Sequence, residues 1–132
     1  KPHGSLYGMS ARQEHIADAV CDAADIFQVP LLGMTGTLHE KIYPARGHRF
    51  IAEFYADLEY RPDGSLIVTR EHDAKDPALM AARALRAITE GKGTATDGSD
   101  IPVRCETICI HSDTPNALDI ARAVRAAVQP HT

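Results

Sequence analysis

Three short stretches of this sequence set residues that move protons or hold anions close together. They are Lys1 and His3 in Lys1-Pro2-His3-Gly4, Glu53 and Asp57 in Ala52-Glu53-Phe54-Tyr55-Ala56-Asp57, and His111 and Asp113 in His111-Ser112-Asp113-Thr114-Pro115. An ammonium with an imidazole can neutralise an oxyanion, a carboxylate can take or deliver a proton, and an imidazole oriented by a carboxylate is a proton shuttle. His111 directly follows an apolar run, and a helix N-terminus expected at Thr114 would add backbone N–H groups for an anion. Each pair also has a plainer reading: a solvated Lys1, a helix cap at Asp113 or Thr114, and Asp57 as the start of a loop. Glu53 and Asp57 are four residues apart and so share one face of an extended strand.

The elements that must position these residues follow from periodicity and breakers. Pro2 fixes its own φ, and Gly4 permits a backbone angle or close approach that a side chain forbids, so the first ten residues read as a rigid turn between a strand and a helix. Apolar residues recur at helical spacing from Ala11 to Phe27, with Ser10 as the expected N-cap. Val29–Met34 reads as a buried strand, and Thr35-Gly36-Thr37 turns the chain into a helix around Leu38 to Ala45 with Gly47 beyond its end. Arg49–Asp57 reads as a strand, Arg61-Pro62-Asp63-Gly64-Ser65-Leu66 as a turn, and Leu66–Val68 as a short extended piece. Asp76 and Pro77 open a helix that runs to about Glu90 and stops at Gly91. A hairpin is expected from Thr94 to Val103 around Asp97-Gly98, then a strand at Thr107–Ile110 and a helix at Thr114–Val128. Strands alternating with helices predict βαβ units and a parallel sheet, whose carboxyl ends would gather the three pairs on one face.

Composition narrows the class. With 132 residues, 44% of them hydrophobic and 24% charged, the chain reads as a single α/β domain over 1–132 with one core. A net charge of −4 with scattered Lys and Arg speaks against nucleic acid, and the short apolar runs against a membrane span, so the default location is the cytoplasm. Cys21, Cys105 and Cys109 lack zinc-site spacing and read as buried reduced thiols. His15, His39, His48 and His131 are expected at the surface, and His72 with Asp73 in a polar loop. The sequence contains no P-loop, no Gly-x-Ser-x-Gly elbow and no closely spaced His-Glu zinc pair. It opens at Lys1, without Met, at what reads as the exit from a strand; a fragment of a longer polypeptide, or one half of a two-chain protein, is expected.

Taken together, Lys1-Pro2-His3-Gly4-Ser5-Leu6-Tyr7, Ala52–Asp57 with Tyr60–Leu66, and Thr107–Pro115 resemble the C-terminal half of the LamB/YcsF family in order and spacing. Three positions depart from the family pattern: Leu58 stands where Arg is frequent, the loop after Leu66–Arg70 is short, and His-Gly-Asp reads His111-Ser112-Asp113. The resemblance implies an irregular parallel (β/α) barrel of the glycoside hydrolase and deacetylase type, here only its C-terminal part. It implies a component like the A subunit of an ATP-dependent 5-oxoprolinase, opening the lactam of 5-oxo-L-proline to L-glutamate with partner subunits and the missing N-terminal half. Lys1 and His3 would then polarise the lactam or neutralise an oxyanion, Glu53 or Asp57 would exchange protons, and His111 with Asp113 would complete the acid–base set. ATP would be a co-substrate whose binding residues the sequence does not name. Two alternatives stand beside this: a metal-assisted deacetylase-like hydrolase in which His3, His111 and a carboxylate bind Zn or Mn, and a non-catalytic half-barrel that binds a small acid or a partner.

Overall fold

The computed structural model describes residues 1–131. The chain divides into two compact units, Lys1–Glu53 and Phe54–Thr132. It is mixed α/β and contains a parallel strand pair, the class expected from the alternating pattern.

In the first unit, α1 (Gly4–Ser10) follows an extended His3, and α2 (Glu14–Phe27) starts after Gln13. The opening residues are therefore helix rather than turn, and Ser10 is not the cap of α2. Ser10 ends α1, four residues before α2 begins, and its buried hydroxyl donates to the Tyr7 carbonyl at 3.0 Å and meets His39 Nε2 at 2.8 Å. Gly4 takes φ +57 with open space where a Cβ would lie, so the angle and not the room requires glycine. The apolar seam of α2, Ala17, Cys21 and Ala24, packs on Leu31 of β1 (Leu31–Gly33) and on Ile42 and Tyr43 of α3 (Leu38–Ala45). Thr37 caps α3, its hydroxyl accepting from the His39 N–H at 3.2 Å, and Gly47 follows the helix at φ +86. β2 (Phe50–Tyr55) pairs in parallel with β1, Leu31 opposite Phe50 and Gly33 opposite Ala52, making β1–α3–β2 a βαβ unit.

In the second unit, the end of β2 leads into a hairpin of β3 (Glu59–Tyr60) and β4 (Leu66–Ile67). Its turn works as the sequence predicts: Asp63 accepts from the Ser65 N–H at 2.9 Å and Gly64 takes φ +80. α4 (Pro77–Glu90) begins with Asp76 accepting from the Ala78 N–H and ends at Gly91, φ 64. β5 (Lys92–Thr94) and β6 (Asp100–Pro102) form the second hairpin around Asp97-Gly98. β7 (Thr107–Cys109) precedes α5 (Ala117–Val128), which packs on α4. α5 starts three residues later than expected. Thr114 and Pro115 form a turn instead, with Ala117 N–H bonded to the Thr114 carbonyl and Thr114 itself buried.

Candidate functional site

The structure pairs the chemically active residues, but not with their sequence neighbours. In the first unit Lys1 Nζ bonds Glu53 Oε1, 52 residues away. The Glu53 side chain is 2% exposed and Lys1 15%, so this is a largely dehydrated ion pair. Lys1 Nζ also lies 5.9 Å from the Tyr7 ring centroid, within cation–π range. His3, expected as the second cation of this group, is exposed at the N-cap of α1, and its side chain makes no capping bond to that helix.

Of the histidines expected at the surface, His48 has a side chain only 7% exposed, 3.1 Å from Asp25, and His39 is displaced furthest. Its helical, polar setting reads as surface, yet it is fully buried in the first unit. Ser10 Oγ donates its proton to the Tyr7 carbonyl, so it accepts from His39 Nε2–H, while Nδ1 accepts from the Met34 N–H at 3.3 Å. Both nitrogens are thus satisfied by a neutral ring of fixed tautomer. Burial pushes its pKa down to about 4, against the Tyr7 carbonyl and the charge of Glu53, which pull it up. The ring stacks on Tyr43 with centroids 5.0 Å apart and meets Tyr7 edge-on at 4.7 Å. The signal in the sequence is Gly33, a glycine at a strand end.

In the second unit Asp57, whose side chain is 0% exposed, holds His111 from 54 residues away. One carboxylate oxygen accepts the His111 backbone N–H at 2.6 Å, and the other lies 3.0 Å from Nδ1. A carboxylate only accepts, so Nδ1 carries the proton and Nε2 is left as the base. The His111 side chain is 32% exposed, so the oriented imidazole reaches solvent. Its ring stacks with Tyr55 at 5.6 Å and with His72 at 6.3 Å. Asp113, expected to orient His111, is exposed and lies instead 3.7 Å from His72 Nε2. Loop geometry explains the exchange: the Thr114 N–H turns back to the His111 carbonyl, which carries Asp113 outward.

Cys21 is buried, while Cys105 and Cys109, expected to be buried, are half-buried. Burial raises the Cys21 thiol and pushes Cys105 up to about 11, which opposes nucleophilic use. Among the described residues no three His, Cys, Asp or Glu side chains gather as a metal site. No helix among them is long and apolar enough to cross a membrane.

The family model of LamB/YcsF matches residues 1–132. The chain belongs to the LamB/YcsF family. It is 43% identical over 129 residues to the A subunit of 5-oxoprolinase from Mycobacterium marinum, an alignment covering 95% of this chain and 51% of that protein. Against the A subunit of 5-oxoprolinase from Thermus thermophilus the identity is 39%, covering 98% of this chain and 53% of that protein. The crystal structure of a lactam utilization protein from Thermus thermophilus superimposes with a TM-score of 0.82 at 35% identity, over 98% of this chain and 53% of that one. This LamB/YcsF chain therefore spans about half the length of the curated relatives it matches. Its α/β fold is that of the lactam utilization protein over the shared span, in line with the barrel-type fold expected from the sequence.

Proposed function

We propose that this chain supplies half of the A subunit of a 5-oxoprolinase, and that its Asp57–His111 pair moves the proton when the lactam of 5-oxo-L-proline is opened to L-glutamate. The observation that carries the reading is the pair itself: a dehydrated carboxylate fixes the tautomer of an accessible imidazole, in a chain 43% identical to the A subunit of a 5-oxoprolinase.

The chemistry suits that arrangement. Lactam opening adds water to the carbonyl carbon, breaks the C–N bond and returns a proton to the nitrogen. His111 Nε2 takes the proton from the attacking water and delivers it to the leaving nitrogen, while Asp57 stabilises the imidazolium between the two steps. ATP as co-substrate, partner subunits and a cytoplasmic setting belong to the same reading. The sequence has no P-loop, and this reading leaves the nucleotide to the rest of the assembly.

The test is glutamate formation from 5-oxoproline and ATP by the chain assembled with its complementary half and partner subunits. Turnover that falls at least about a hundredfold in His111→Gln, as for loss of a positioned proton carrier, supports the reading. A complete assembly without turnover, or unchanged turnover in His111→Gln, overturns it.

A further inference from the structure

Asn116 stands at the N-cap of α5, a position where its side chain ordinarily accepts from an amide of the first turn, yet it makes no such bond. Both ends of its amide go elsewhere. Oδ1 accepts from the Lys75 N–H at 3.1 Å, and Nδ2 donates to the Lys75 carbonyl at 2.7 Å. This two-point grip, across 41 residues, treats one backbone residue as a neighbouring strand would, and it falls on the segment that carries His72.

The grip has a chemical consequence three residues upstream. His72 is mostly buried, its ring lies within 10° of parallel to His111 at 6.3 Å, and its Nε2 faces Asp113 Oδ2 at 3.7 Å. Two imidazoles are therefore brought face to face, His111 with Asp57 and His72 with Asp113. The polar segment Glu71–Lys75 has neither helix nor strand of its own to hold this position.

We infer that Asn116 is a positioning residue that gives up its capping role to clamp the His72 loop, so that His72 stacks on His111 as a second imidazole of the same site. The inference rests on the reading of His111 as the proton carrier. His72 shields one side of the His111 ring from water and limits its rotation, while Asp113 limits that of His72. The functional pair is thus supported from two loops that meet through Asn116 and the ring stack.

The test uses proton and nitrogen NMR of the 132-residue chain, because stacked aromatic rings displace each other's ring-proton resonances. His72→Ala sets the reference for an unstacked His111. Asn116→Asp keeps an oxygen able to cap α5 but cannot donate to the Lys75 carbonyl, and Asn116→Ala removes both bonds. The expected result is that His111 ring protons in both Asn116 variants move to their positions in His72→Ala while the amide resonances of α5 keep their places in Asn116→Asp. His111 resonances that stay at the wild-type positions in folded Asn116→Asp would show that the donation to Lys75 does not set the ring stack and would overturn the inference. So would His72→Ala leaving the His111 ring unmoved. Should Asn116→Ala fail to fold, Asn116→Asp decides. None of these readouts needs turnover, so their failure leaves the lactam reading standing, and the failure of that reading leaves them unchanged.

Discussion

Gly33 and His39 lie so close that no side chain fits between them: a Cβ on Gly33 would sit 2.6 Å from the His39 Cβ and 2.8 Å from its ring. The clash falls on a side chain that has no room to retreat, because His39 is bonded at both nitrogens and stacked on Tyr43. Gly33→Ala should therefore destabilise the chain by about 2 kcal/mol, the ordinary cost of overpacking a filled core. Urea denaturation measures it. A neutral or stabilising effect, as expected where glycine merely adds freedom to the unfolded chain, would show that the contact is not rigid.

Stability should fall with acid through His39. Its folded pKa of about 4 lies below the ordinary 6.5, so well above pH 6.5 the ring is neutral in both states and adds no pH dependence. Between pH 6.5 and 4 the unfolded chain takes up a proton that the folded chain refuses, and stability is lost progressively, by about 3 kcal/mol in all. Denaturation midpoints at about pH 7 and about pH 4.5, on either side of the unfolded histidine's titration, should differ. His39→Gln should flatten that slope while costing stability at neutral pH. An unaltered slope in the variant would assign the acid sensitivity elsewhere.

Asp57→Asn should do more than remove a charge. The His111 backbone N–H claims one oxygen at 2.6 Å, so the single carbonyl of the substituted amide serves that N–H and its NH2 faces Nδ1. Nδ1 must then accept, the proton moves to Nε2, and the base is blocked. In the glutamate-forming assay of the proposed function, turnover should drop by about 10²–10⁴, the usual worth of a positioned proton carrier. The ring nitrogen resonances of His111 should report the exchanged tautomer, and an unchanged tautomer with lost activity would contradict this account.

The element boundaries legible in the sequence are those written in cap and turn residues. Asp76-Pro77 and Gly91 delimit α4, Thr37 opens α3, and Asp63-Gly64 and Asp97-Gly98 turn the two hairpins, because each acts on the backbone within a few residues. The candidate residues are legible by type but not by partner. Lys1 with Glu53 and Asp57 with His111 are joined across 52 and 54 residues, a distance over which local pattern carries no information. His39 and Asn116 are illegible for a related reason. A histidine on a helix reads as polar surface until the buried glycine is known, and Asn116 falls inside the helix expected from Thr114, where nothing marks the loop it faces. Ser10 misleads in the same way, as its hydroxyl answers to the chain around Tyr7 and His39 rather than to the helix that follows it.

The Lys1–Glu53 pair distinguishes a site from a solvated terminus. A lysine whose ammonium is hydrated can be truncated at a cost within about 0.5 kcal/mol. Here Glu53 is almost wholly removed from water, and taking away the ammonium strands part of its charge in a medium that hydrates it poorly. Lys1→Ala should therefore cost about 3 kcal/mol, whereas Lys1→Ala with Glu53→Gln should recover more than half of that, since a neutral amide needs no counter-charge. A double-mutant cycle by chemical denaturation reads the coupling directly. Additive effects of the two substitutions would return Lys1 to the plain reading of a surface lysine.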